Sequence, residues 1–163
     1  MFDLLRAEDA DLVLSDQRRA FSEEYVNLIL ATHTLSVELA AHHPLAELSA
    51  LTAQALKNLP CILVATDDQR ASEQEFYQTV IGIQSDIRFA ENLEDARLMV
   101  ASSQGFLPVE ESGPAASFDA ALRRIPLYRN GTSITRNCCL FWKKNNSSYY
   151  IEEFAEILKS KFA

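Results

Sequence analysis

Two short stretches are apolar at consecutive positions, Leu12-Val13-Leu14 and Cys61-Ile62-Leu63-Val64-Ala65. Such runs predict strands buried on both faces, the pattern of a parallel sheet. Phe2 to Ala10 reads as the last turns of a helix with Phe2, Leu4 and Leu5 on its apolar side, and Ser15 to Arg19 as a polar loop. Val26–Ala31 and Thr34–Ala40 are β-rich, and the second alternates Leu35, Val37 and Leu39 against Ser36 and Glu38. His43-Pro44-Leu45-Ala46 then makes a turn, and Thr52 can cap a short helix through Lys57.

In the second half, Phe76, Val80 and Ile83 fall at helical spacing and predict a helix over 72–84. Ile87-Arg88-Phe89 is a strand. Asn92 is a good N-cap, with Glu94 and Asp95 in the first turn where carboxylates suit the helix dipole. The helix it opens presents Leu93, Ala96, Met99 and Val100 and ends before Gly105, after which Phe106–Val109 is a short strand. Residues 110–117 read as a loop, followed by a short helix to about Leu122 and a strand near Arg124–Leu127. Past the Asn130-Gly131 turn, Arg136–Lys143 is a long strand with Cys138, Leu140 and Trp142 on one side and Cys139 and Phe141 on the other. Ser147 or Ser148 caps a final amphipathic helix through Ile151, Phe154, Ile157, Leu158 and Phe162. Strands alternating with helices predict an α/β sheet layered with helices.

Composition narrows the function more than the fold. A chain of 163 residues, 48% hydrophobic and 23% charged, has the length for one domain or two small lobes. Its four glycines are scattered, so neither GxGxxG nor a phosphate-binding P-loop can be written. The net charge is −8: residues 1–60 carry 9 acids and 4 bases, 61–125 carry 11 and 5, and 126–163 carry 3 and 6. That sign is wrong for gripping a phosphate backbone directly. Cys61, Cys138 and Cys139 form no CxxC, and adjacent cysteines lack the geometry of an ordinary disulfide. No signal segment or membrane-length apolar run is present, so a reducing cytoplasm is the expected location, without a membrane partner.

Catalytic and metal readings are weak. Ser15, His33 and Asp16 can be counted into a Ser-His-Asp set, but no GxSxG elbow accompanies them. His42 and His43 diverge on an extended segment, with no further ligand at metal spacing. Asp67-Asp68 and Glu110-Glu111 read as helix-start and surface carboxylates. No catalytic residue, metal or cofactor is expected. Position is more informative: in open α/β sheets ligands lie beyond the carboxyl ends of strands, which here are followed by Ser15-Asp16, Thr66-Asp67 and Glu91-Asn92.

Several pieces in order resemble one family. Asp11-Leu-Val-Leu-Ser15, the strands ending in His43-Pro-Leu-Ala46, Leu59-Pro-Cys-Ile-Leu-Val64, Asn92 through Val100 with Gln104-Gly-Phe-Leu-Pro108, and Cys139 through Lys144 with the last helix are similar to the effector-binding domain of LysR-type transcriptional regulators. The resemblance spans nearly the whole chain, and HPLA is its most specific piece. It implies a two-lobed, periplasmic-binding-protein-like (type 2) α/β fold. Lobe one would be residues 1–64 plus 127–163 and lobe two 65–126, with a small-molecule effector in the cleft, an anion being one option. Carried over by position, the effector contacts would be Ser15, His33, Thr66 and Glu91 or Asn92, with Pro108 and Val109 lining the wall. The family commonly forms a homodimer, using the first helix of one chain against lobe two of the other, and reaches DNA only through an N-terminal winged helix-turn-helix. These residues hold no counterpart of that domain.

Two departures follow. Ser102-Ser103-Gln104 stands where the family has Gly-x-Gly. The family's first strand and most of the next helix have no counterpart either, so the fold expected is an N-terminally truncated one, from a fragment or a shortened gene, with a gap in the sheet beside Leu12–Leu14. A solute-binding protein of the same fold is the alternative function.

Overall fold

The structure is a computed structural model, and it describes residues 2–17, 21–111, 120–146 and 148–162. In chain order the elements are α1 (Phe2–Arg6), β1 (Leu12–Asp16), β2 (Tyr25–Ala40), α2 (Ala53–Leu56), β3 (Cys61–Val64), α3 (Arg70–Glu75), β4 (Ile87–Ala90), α4 (Leu93–Ala101), β5 (Leu107–Glu111), β6 (Leu122–Pro126), β7 (Tyr128–Arg129), β8 (Thr132–Ser133), β9 (Thr135–Lys143) and α5 (Tyr149–Phe162). Of the short helix expected after residue 117, residues 118 and 119 lie outside the described ones, but 120 and 121 form a turn and Leu122 already begins β6, and β5 continues through Glu110 and Glu111 where a loop was expected. Among the described residues, no helix is long and apolar enough to cross a membrane.

The chain divides into two compact units. Unit one is residues 1–33 with 136–163, and unit two is residues 34–135. This grouping differs from the expected lobes, whose boundaries were 64/65 and 126/127. Within unit two, β3 pairs in parallel with β4, Cys61 opposite Ile87 through Val64 opposite Ala90. The division instead falls within β2 and at the start of β9. The two β-rich stretches expected at 26–31 and 34–40 are one continuous 16-residue strand.

In unit one, β1 pairs with β9 antiparallel, Leu12 opposite Trp142 and Ser15 opposite Cys139. The expectation of a buried parallel strand at Leu12–Leu14 is therefore corrected. Residues opposed across β1 and β9 leave no gap between them, and β1 stands at the end of the strand order β1–β9–β2–β5. With no further strand beside it among the described residues, β1 buries Val13 but leaves Leu14 46% exposed. Alternation then sorts the sheet's two faces. Leu5, Val13, Tyr25, Cys139 and Phe141 pack on one face, and Leu12, Leu30, Leu140, Trp142 and α5 pack on the other.

The amphipathic face expected for α5 is split. Ile151 and Ala155 are buried and Leu158 packs beside them, while Phe154 and Ile157 are largely exposed. Periodicity alone could not decide which of two neighbouring stripes meets the sheet, and the small Ala155 proved to be on the buried one.

Unit two has β2 between β5 and β6, with Val37 opposite Pro108 on one side and Ile125 on the other. β3 and β4 are parallel, and β5 joins β3 in the same direction through a bridge between Cys61 and Phe106. Gly105 makes that join possible. A Cβ there would lie 2.2 Å from the carbonyl oxygen of Pro60, which accepts from the Phe106 N–H. The expected cap is present, Thr52 Oγ1 accepting from Ala55 N–H, and the expected turn at His43–Ala46 is a single helical turn, Pro44–Glu47, which His43 caps through Nδ1 accepting from Leu45 N–H. The helix expected over 72–84 starts at Arg70 and widens into a π-helical segment, Phe76–Ile81, closed by Gly82 in the left-handed region. The wider turn brings Tyr77 and Ile81 into the core beside Phe76 and Ile83.

Candidate functional site

In unit two, parallel β3 and β4 and the co-directional β5 end at one edge. Thr66 follows β3, Glu91 and Asn92 follow β4, and Val109–Glu111 ends β5. Four of the sequence-predicted positions, Thr66, Glu91, Asn92 and Val109, thus share the carboxyl edge of one group of strands, where α/β folds present polar groups to ligands. Pro108 lies on the opposite face from Val109: it is buried opposite Val37, whereas Val109 is opposite Ser36. Ser15 and His33 belong to unit one.

Local hydrogen bonding explains why these residue types stand here. Thr66 donates through Oγ1 to Asp68 Oδ1 at 2.6 Å, and its carbonyl accepts from the N–H groups of Gln69 and Arg70. Asn92 caps α4, its Oδ1 accepting from Asp95 N–H at 2.9 Å while its Nδ2 donates to Asp95 Oδ2 at 2.7 Å. Arg70 pairs with Asp67 at 2.9 Å and lays its guanidinium over the Phe89 ring, 5.2 Å from the centroid. In unit one, Ser15 donates through Oγ to the Asp16 carbonyl at 3.0 Å. That hydroxyl is engaged by backbone rather than by His33, which leaves the counted Ser-His-Asp set without its nucleophile–base bond. His42 Nε2 lies 2.8 Å from Ser103 Oγ, and among the described residues no three metal-ligating side chains cluster.

The sequence did not single out the polar residues on the α4-facing side of β2. Thr34, Ser36 and Glu38 alternate onto that face. Ser36, fully buried, donates to Glu111 Oε1 at 2.6 Å, and Thr34 donates to Oε2 at 3.3 Å. One turn of pleat further in, Glu38 is buried and bidentate to Arg97 of α4, with both N···O distances 2.9 Å. It also accepts from Arg124, directly opposite on β6, at 2.8 Å. Burial by itself would raise the Glu38 pKa, but the hydrogen bonds and charges of Arg97 and Arg124 outweigh it and hold the carboxyl below its ordinary value. The signal was present in the alternation, because a strand whose other face is Leu35, Val37 and Leu39 can bury its polar face only if a cation meets the glutamate.

Charge at the edge is uneven. Asp67, Asp68, Glu91, Glu94 and Asp95 are exposed on it, while Arg97 is committed to Glu38 and Arg70 to Asp67. The first turn of α4 is already supplied with the Asn92 amide oxygen and two carboxylates. In unit one, three shallow hollows surround Tyr25, Lys143 and Lys144 or Asp11 and Asn146, and none of them contains a predicted site residue. Burial raises the thiol pKa of Cys61 and, with help from Cys138 and Asp16, pushes that of Cys139 up to about 11. Neither is poised as a nucleophile.

The family model described as LysR substrate binding domain matches residues 1–163. The structure is similar to the regulatory domain of reduced OxyR from Pseudomonas aeruginosa, with a TM-score of 0.68 at 16% identity, covering 99% of this chain and 76% of that one. It is similar to the regulatory domain of MetR, a LysR family regulator from N. meningitidis, with a TM-score of 0.71 at 15% identity, covering 98% and 76%. The C-terminal domain of a probable LysR family regulator from a Rhodococcus species gives 0.68 at 18% identity, covering 96% and 78%. No curated protein sequence matches the chain. The type 2 periplasmic-binding-protein-like α/β fold and the match over the full length agree, and the chain belongs to the LysR substrate-binding domain family.

Proposed function

We propose that this chain is the effector-sensing module of a LysR-type regulator, binding a small polar molecule and passing its occupancy to a DNA-binding domain. The observation that carries this reading is the convergence of Thr66, Glu91, Asn92 and Val109, with the Thr34–Ser36–Glu111 network, at the carboxyl edge of β3, β4 and β5. Thr34, Ser36, Thr66, Asn92 and Glu111 are hydrogen-bond donors and acceptors already held by local bonds, and Glu91 adds an exposed carboxylate beside them. Such an array suits recognition rather than bond-breaking. The exposed carboxylates at the edge disfavour an anion there, so the effector we infer is neutral or cationic, the opposite sign to the option the resemblance left open.

Thermal-shift screening of neutral, cationic and anionic metabolites, followed by calorimetry on the hits, tests this. Glu91→Gln changes an exposed side chain and should weaken a genuine hit at least about tenfold, a loss of about 1.4 kcal/mol, without lowering the unliganded melting temperature. Thr66→Ala should do the same at some cost in stability, since it also removes a turn. Hits that are exclusively anionic, or that ignore both substitutions, would remove this edge as the effector site.

A further inference from the structure

We propose that Asn130-Gly131 is a site of spontaneous covalent modification, deamidation to isoaspartate, and that the conversion releases Arg129 from the end of the π-helical segment Phe76–Ile81. The two residues are the loop of the hairpin formed by β7 and β8, whose pairs are Tyr128 with Ser133 and Arg129 with Thr132. Asn130 has φ 51° and Gly131 φ 79°, and both are exposed. Two positive φ values in a two-residue loop make a type I′ turn, for which Asn-Gly is a preferred pair. The same pair is chemically labile. A backbone nitrogen attacks the side-chain carbonyl carbon of the asparagine before it only where little crowds that nitrogen, and glycine crowds it least. Every other asparagine of the chain precedes a residue with a side chain. A Cβ added at Gly131 would meet nothing within 4 Å, and the Gly131 N–H lies outside the ladder pairs, so the nitrogen has room to move.

The Gly131 nitrogen, its proton lost to a solvent base, bonds to Asn130 Cγ. The Cγ–Nδ2 bond breaks, Nδ2 takes up a proton and leaves as ammonia, and a five-membered succinimide remains. Water then opens the ring. Addition at Cγ gives aspartate, and addition at the main-chain carbonyl carbon gives isoaspartate, whose backbone runs through Cβ and Cγ. Water is consumed, ammonia is released, and nothing is oxidised or reduced. Isoaspartate lengthens the loop by a carbon, and a two-residue turn cannot keep its geometry with the longer backbone. Arg129 stands directly before that turn. Its Nη2 donates to the Val80 carbonyl at 2.8 Å and to the Ile81 carbonyl, and lies beside Gly82, 3.4 Å from where a Cβ would be. A guanidinium on the last carbonyls of a helix satisfies them and suits the negative end of its dipole. The base of the hairpin is fixed separately, because Leu127 and Ile134 are buried in the same core as Tyr77 and Ile81. Conversion therefore acts on the tip and on the Arg129 latch and spares the core. The proposal is independent of the effector reading.

The folded 163-residue chain, incubated in mildly alkaline buffer, is assayed by peptide mass spectrometry and by methyl transfer from an isoaspartyl methyltransferase. Conversion at position 130 should run at least about tenfold faster than at any other asparagine, a barrier difference of about 1.4 kcal/mol. Asn130→Gly should abolish that product while keeping the turn, since Gly-Gly also adopts type I′. The converted chain, separated by ion exchange through its new negative charge, should show amide hydrogen exchange over residues 77–83 about fivefold faster than the fresh chain, the order expected for a lost cation at a helix C-terminus. Arg129→Ala should give the same acceleration without any conversion. The proposal is overturned if position 130 yields no isoaspartate or converts no faster than the other asparagines, or if exchange over 77–83 is unmoved by conversion or by Arg129→Ala.

Discussion

Glu38 has no exposed surface and keeps its charge through three hydrogen bonds from two guanidiniums. Because its folded pKa lies below the ordinary value of 4.5, the stabilisation it provides is complete above about that pH. It is lost as pH falls through the folded value. Glu38→Gln should lower stability at pH 7 by about 3 kcal/mol, near the low end for a broken buried ion pair because Arg97 and Arg124 keep some contact with water. Urea unfolding of both forms at pH 7 and near pH 3 checks this. The gap between them should narrow at the lower pH, and a gap of constant width would show that charge is not what Glu38 contributes.

Among the elements, α4 shows what is legible locally. Asn92 was readable as a cap because capping depends on one side chain and the three residues after it, and the structure has that bond. Asn92→Ala should cost about 1 kcal/mol, seen as a lower melting temperature. A loss near zero would mean that the turn, and not the amide, starts the helix. The turns at Thr52 and His43 and the buried run at Cys61 were legible for the same reason. The π-helical widening at Phe76–Ile81 was not, because Phe76, Val80 and Ile83 fit an ordinary helix equally well and only packing selects the wider turn that buries Tyr77 and Ile81. The direction of β1 was also hidden. A continuous apolar run reports burial, while its partner β9 lies some 130 residues away. At the site, strand ends could be read from sequence. Ser36, Glu38 and Glu111 could not, since their roles come from register across β2, β5 and β6.

At the scale of the whole molecule, unit two is one continuous stretch, residues 34–135, whereas unit one is assembled from the two ends of the chain. The pairing of Leu12 with Trp142 has a consequence for the order of assembly. During synthesis the partner of β1 is made only after every residue of unit two. Closing so long a loop also carries an entropic cost that contacts within unit two largely avoid. Unit one should therefore form last, and the molecule's single tryptophan, buried in it, is a built-in reporter. In stopped-flow refolding, Trp142 fluorescence should reach its native value after most of the far-UV signal has returned. Coincident traces would mean that the ends meet as early as the middle folds. Until they meet, the β1-facing edge of the apolar run Leu140-Phe141-Trp142 stays unpaired, and an unpaired apolar edge is a template for association with another unfinished chain.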